Sequence, residues 1–448
     1  MVVVVVLVIA FLAVRGISKP YFGLLGLLVV YIVEPGEVYP VLAPLHLERM
    51  LAVFVIASFF FHGNRLKFPT VTRWFLAFYG AMLVSIPLAY WPGNSIAFCI
   101  QFGEIVVFHL LIVGLLTTQD RIRGFLLTWV GLMGWLAGTS LVLYFMGVRI
   151  FTMGIDRAEG MTSSGGDPNS LGITLVSAMP LEFLFMLKGN GKWTKIFAMS
   201  VFVLSIFTLV STGSRTSAFA FIFFLMLVVF ADWKKRLKFI PILIVLAPLI
   251  WIVIPQQYKA RYETVDNLKD DDSYQNRILS WKGGVQMFLS NPLTGVGPDN
   301  YTDANGEKYW PEKPRHWLNA HNLFFKLIGE LGMVGIITFF GYLAILFRAN
   351  AQILREWRNR AGDIASRKYP LYCNIALIIL LFGGYSGHNL YRNTWYILGA
   401  ITAAIGLLKP VEDKENPAPE ESRRIMPSWI PGAVDDAELQ PADTHGWR

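Results

Sequence analysis

Charge is scarce in this chain: 16% of its residues are charged, 54% are hydrophobic, and mean hydropathy is +0.48. An ordinary soluble domain carries ~45–50% apolar and ~25% charged residues, so this composition excludes that class. Cysteine is nearly absent too. Cys99 and Cys373 are the two present. Both lie in apolar windows without partners at metal-ligand spacing, which argues against a disulfide framework and a structural zinc site. No internal repeat is visible, which weighs against the inverted-repeat architecture of many secondary transporters. The apolar start, Met1 to Val14, has no basic leading region and no small-residue cleavage site after it. It reads as a retained helix rather than a removed signal peptide.

What the chain has in abundance is apolar windows. A bilayer core ~30 Å thick takes about 20 apolar residues per helix, and such windows recur as far as Leu408. Only helices can satisfy their own backbone groups there. The reading is an all-α polytopic membrane protein with about 12–13 transmembrane helices and one long loop containing short amphipathic helices. The spans fall near 1–14, 20–33, 49–61, 74–90, 97–117, 124–147, 169–187, 196–211, 215–231, 239–254, 321–347, 370–386 and 392–408. The first two are short, and stand either as two tight crossings or with one of them re-entrant or interfacial. Residues 1–408 form the transmembrane domain, with the long loop at 255–320. The tail 409–448 is rich in Pro, Glu and Asp and is expected to be disordered and cytoplasmic.

The net charge of +8 resembles a nucleic-acid signal until it is mapped onto the connections. Lys and Arg gather in alternate ones: Arg15 and Lys19; Arg65, Lys67 and Arg73; Arg121 and Arg123; Lys188, Lys192 and Lys195; Lys234, Lys235, Arg236 and Lys238; and Arg348, Arg355, Arg358, Arg360, Arg367 and Lys368. That alternation is the positive-inside pattern and predicts these six connections to be cytoplasmic. The loop 255–320 then faces the other side, with 34–48, 148–168, the turn Ser211–Arg215 and the turn His388–Arg392. In a bacterial inner membrane that side is the periplasm, where ATP and nucleotide sugars are absent. A transfer reaction there needs a substrate that arrives already activated, and a lipid carrier is the obvious form.

Four constellations on that side carry chemistry. In Ser211-Thr212-Gly213-Ser214-Arg215-Thr216-Ser217, small hydroxyl residues leave room around a guanidinium whose fork matches phosphate oxygens. The bland alternative is an interfacial, snorkelling Arg. Asn276-Arg277-Ile278-Leu279-Ser280-Trp281 opens an amphipathic stretch in which Ile278, Trp281, Val285 and Phe288 form an apolar stripe. Arg277 is there either a phosphate ligand or a solvated Arg stacked on Trp281. Gly295-Val296-Gly297-Pro298 lacks a preceding strand and reads as a turn, not a dinucleotide fingerprint. His316-Trp317-Leu318-Asn319-Ala320-His321-Asn322 leads into a helix with Glu330, Gly332 and Gly335. His321 suits a general base near neutral pH, or a helix-capping His. His316 and His321 lack supporting ligands, so a metal site is the weaker reading. The smaller turns add Asp156-Arg157, Gly165-Gly166-Asp167-Pro168-Asn169 and His388-Asn389-Leu390-Tyr391-Arg392, where Asp167 or Asn169 has the ordinary role of a helix cap. Within the bilayer, Gln101, Glu104, His109 and Glu182 make either a proton path or paired structural groups.

These motifs together resemble the O-antigen ligase and polymerase superfamily. The resemblance rests on Ser214-Arg215 at a mid-chain helix end, Arg277 to Trp281 as Arg-x-x-x-Trp, Asn291 to Gly297 as Asn-Pro-Leu-x-Gly-x-Gly, and His321 to Phe325 as His-Asn-x-x-Phe. Asp167-Pro168-Asn169 is similar to a family feature as well. An Asn-Arg-x-x-Trp element near Asn393 and Trp395 is similar to another family feature, rearranged here to Tyr391-Arg392-Asn393-Thr394-Trp395. The resemblance implies a membrane glycosyltransferase that takes a glycan from undecaprenyl diphosphate on the periplasmic side, with no cofactor and no metal. It implies catalytic roles for His321, Arg215 and Arg277, and substrate contacts from Arg215, Arg277, Arg157, Arg392, Asn322 and Trp281. The acceptor is lipid A-core, a growing chain or a protein hydroxyl, with ligase preferred. Membrane lipids are further partners, and nucleic acid is not one. A polysaccharide transporter and a non-catalytic envelope scaffold are the rival readings.

Overall fold

The computed structural model describes residues 2–152, 155–162, 166–231, 272–357, 366–387 and 389–408. Outside them lie the expected span 239–254, the loop portion 255–271, the tail 409–448, and the residues Lys234, Lys235, Arg236, Lys238, Arg358, Arg360, Gly165 and His388. Every other expected span is a helix. They are α1 (Val2–Ser18), α2 (Pro20–Val33), α3 (Leu47–Phe61), α4 (Thr70–Ser85), α5 (Pro92–Leu115), α6 (Gln119–Phe145), α7 (Pro168–Met186), α8 (Lys192–Ser211) and α9 (Arg215–Phe230). After the amphipathic α10 (Asp272–Ser290) come α11 (Leu323–Trp357), α12 (Tyr369–Gly384) and α13 (Asn393–Gly406). A two-stranded antiparallel ribbon, β1 (Ile150–Thr152) with β2 (Ile155–Arg157), joins α6 to α7.

The protein is an all-α polytopic membrane protein. Among the described residues, seven helical segments have the length and hydropathy to cross a bilayer, and Val3–Ser18, Pro20–Val33, Arg215–Phe230 and Tyr369–Gly384 are shorter apolar helices. In lipid, helices associate through close packing rather than hydrophobic transfer, so aromatic and small residues set the contacts. The centre of α4, α5, α11 and α13 is an aromatic stack. Phe75 lies 4.8 Å from Tyr396 and 4.6 Å from the His109 ring, and the Tyr342 hydroxyl donates to the Trp395 carbonyl at 3.0 Å. The unexpected intramembrane polar residues are paired there. His109 meets the Thr72 hydroxyl and the Tyr396 carbonyl, Glu182 accepts from Ser205, and Glu104 takes Arg49 at 3.1 Å. Gln101, the fourth of these residues, lines the cavity described below together with Glu104.

The two ends of the bundle differ. Basic connections meet at one end, where the Tyr21 hydroxyl donates to the Arg121 carbonyl and Arg123 reaches Asn190 at 2.7 Å. At the other end several helices begin with side chains that cap their first turns. Asp167 accepts from the amides of Asn169 and Ser170, Ser214 from that of Ser217, and Asn322 from those of Phe324 and Phe325. These caps satisfy amides that have no partner inside the helix. They also fix the residues beside them, among which are Asn169, Arg215 and His321.

One feature of α11 was not legible in its apolar run. The helix breaks at Gly332, where φ is +57° and ψ is −150°. The 292–297 loop fills the break: Val296 and Gly297 donate to the carbonyls of Gly329 and Glu330, and Met333 and Val334 donate to those of Pro292 and Leu293. Gly295 and Gly297, both at positive φ, make the turn expected of Gly-x-Gly.

Candidate functional site

A cavity of about 720 Å³ opens at the end of the bundle where the capped helices begin. His321, Asp167, Asn169, Thr216, Ser386 and Arg392 are among the residues that line it. Its walls include the first turns or caps of α7, α9, α11 and α13, so four helix N-termini converge on one space. Each N-terminus carries roughly half a positive elementary charge, a dipole that favours an anion close to it.

His321 holds the centre of this wall. Its φ is +45°, a left-handed conformation uncommon for a residue with a side chain. Asn322 fixes it there, capping α11 with its side-chain oxygen and donating through Nδ2 to the Tyr385 carbonyl at 2.8 Å. Asn322 therefore takes the capping role that the sequence left open for His321. Burial pulls the imidazole below its ordinary value of 6.5, the Arg277 and Lys326 charges pull it further, and Asp167 opposes them. Trp281 supports the same segment from beneath, stacked on Phe325 at 5.1 Å and donating through Nε1 to the Ala320 carbonyl.

The other arginines occupy distinct places. Arg215 opens α9, half-buried, next to Thr216, whose hydroxyl meets that of Ser386 across the cavity wall at 2.9 Å. Arg392 lines the cavity, reaching the Ser170 carbonyl and the Thr174 hydroxyl, and burial lowers its guanidinium to about 10 against the rise from Asp167. Arg157 stands behind the wall. It is 3% exposed, and donates to the Thr212 carbonyl at 2.7 Å and to Asn169 at 2.9 Å, bracing the turn before Arg215. His316 is exposed, edge-on to Trp310, and His46, not His316, is the second histidine of the cavity.

The amphipathic stretch leaves its apolar stripe partly exposed, as a stripe lying on a membrane surface would be, and buries another face. Ile278, Trp281 and Phe288 are half-buried and Val285 is exposed, whereas Ser280, Gly283, Gly284 and Met287 are buried. Small residues on that face let α10 approach Tyr301, Asn305 and Tyr309 closely, while Met287 joins the apolar cluster of Val296, Tyr301 and Ala320. The Tyr301 hydroxyl donates to the Ser280 carbonyl, and a side chain at Gly284 would meet that hydroxyl at 2.5 Å. The opposite lobe of the cavity was also missed. Glu34, Glu37, Glu48 and Glu104 line it with Arg49 and His46. The 34–48 turn was legible as sharing this side, but nothing in one sequence pairs it with α5.

Fold and cavity define a multi-pass α-helical membrane protein with a pocket at one end lined by charges of both signs. Residues 200–340, from the middle of α8 to the middle of α11, match the family model described as O-Antigen ligase. Arg215, Arg277, Trp281, His321 and Asn322 fall inside the match, and Arg157 and Arg392 fall outside it. No curated protein matches the chain.

Proposed function

We propose that this protein is a ligase-type glycosyltransferase that moves a glycan from undecaprenyl diphosphate to an acceptor hydroxyl, lipid A-core first among them, at the periplasmic face of a bacterial inner membrane. The observation that carries the reading is the convergence of four helix N-termini, Arg392 and His321 on one cavity. The diphosphate is already a good leaving group. As the anomeric C–O bond breaks, its electron pair passes to the diphosphate, and Arg215 and Arg277 neutralise the growing charge as guanidinium clamps. His321 takes the proton of the acceptor hydroxyl while that oxygen attacks from the opposite face, an inverting displacement. No step in this scheme calls on a metal.

A specific observation favours a second acceptor within the same chemistry. Four carboxylates against one guanidinium and one imidazole line the far lobe, and that field disfavours phosphorylated acceptors while accepting hydrogen bonds from sugar hydroxyls. A growing glycan chain, as in a polymerase, fits that lobe. The purified protein, given lipid-linked glycan and either acceptor in EDTA, should form product, and Arg215→Lys should abolish it while leaving the protein folded. Loss of activity on chelation, or full activity in Arg215→Lys, would overturn the mechanism. Preference between phosphorylated core and bare glycan decides the acceptor.

A further inference from the structure

Beside the cavity lies a buried ionic network that the proposed chemistry does not use. Lys326 is 4% exposed and Glu330 is fully buried, one turn apart on the first segment of α11, with Nζ and Oε1 3.4 Å apart. The carboxylate also accepts the Tyr301 amide at 3.2 Å and the Tyr391 hydroxyl at 2.6 Å. Lys326 Nζ sits 3.9 Å from Asp299 and 5.4 Å above the Tyr391 ring. A single carboxylate thus ties together the helix that follows His321, the loop body around Tyr301, and the turn that ends in Tyr391 and Arg392. Tyr391 and Arg392 both line the cavity.

A buried ion pair is a poor device for stability, because desolvation costs several kcal/mol per ion and apolar packing often does as well. Its distinctive property is direction, since charge-assisted hydrogen bonds hold one geometry. We propose that Lys326 and Glu330 are positioning residues, whose pair fixes the Tyr391–Arg392 turn against the start of α11 and so sets the spacing of Arg392 and His321 across the cavity. Phe98, 4.8 Å from the Tyr391 ring, backs the same side chain from α5, so the hydroxyl is left to choose its register.

The kinetic consequence rests on the transfer reaction proposed above, and the geometric consequence does not. Full-length protein carrying Tyr391→Phe keeps the ring and loses the bond. Its kcat should fall roughly 10–100-fold with KM little changed, the scale of a small misplacement. Glu330→Gln should do the same, and Lys326→Met added to it, which removes the stranded charge without restoring the pair, should leave turnover low. Independently of turnover, Asn393→Cys on the cavity wall should react severalfold faster with a hydrophilic maleimide when Tyr391→Phe is also present. Wild-type turnover per folded molecule in both single variants, or an unchanged labelling rate, would overturn the proposal. If the unaltered protein makes no product, the transfer reading fails and the labelling rate alone decides.

Discussion

At the scale of the residue, His321 carries the sharpest consequences. Its imidazole must be neutral to accept a proton, and burial with the Arg277 and Lys326 charges holds it below 6.5. The rate should be at its plateau at neutral pH and fall as pH drops through that lowered value. Asp167→Asn retains the helix cap but removes the one charge that opposes the shift, so the acid limb of the kcat profile should move to lower pH. Lys326→Met should move it to higher pH. A limb lying above 6.5 would deny His321 the role of base. Replacement by Ala should cost ~10²–10⁴-fold in kcat, the usual worth of a positioned base. Its melting temperature should stay near that of the unaltered protein, because Asn322 does the capping.

At the scale of the element, the broken helix decides how the loop body is held. Gly332 at φ +57° admits no side chain without strain, and a Cβ there would also stand 2.7 Å from the Leu293 carbonyl. Gly332→Ala should therefore cost about 1–3 kcal/mol from the backbone alone, and more from the clash. Gly80→Ala, in α4 with nothing within 4 Å, is the matched control and should not destabilise. Limited proteolysis within 291–300, alongside melting in detergent, separates the two; equal behaviour would mean that the loop body does not depend on the break. Helix positions were legible in the sequence because twenty apolar residues and a capping Asp167 are local signals, whereas the caps Ser214 and Asn322 emerged from the structure. The break at Gly332, the small-residue face of α10 and the Lys326–Glu330–Tyr391 network were not legible. Each is decided by a segment distant in sequence, here Leu293, Tyr301 and Tyr391, whose arrival no local pattern announces. The candidate residues His321 and Arg215 stand beside the caps Asn322 and Ser214, whereas Glu34, Glu48 and Glu104 reach the cavity by packing alone.

At the scale of the whole molecule, sidedness decides which donor is chemically reachable. Arg121, Arg123 and Asn190 meet at one end of the bundle, and the cavity opens at the other. The positive-inside rule then predicts that the cavity looks out of the cytosol, where an activated sugar must come attached to a lipid. Lys308 is exposed on the loop body at the cavity end, while Lys67 and Lys192 are exposed in the basic connections. Cys99 and Cys373 are both buried, so they should contribute little background. In intact spheroplasts a membrane-impermeant maleimide should label Lys308→Cys and leave Lys67→Cys and Lys192→Cys unlabelled until the membrane is opened. The reverse pattern would turn the cavity towards the cytosol, where soluble nucleotide sugars are available. It would remove the reason for a lipid-linked donor while leaving the fold untouched.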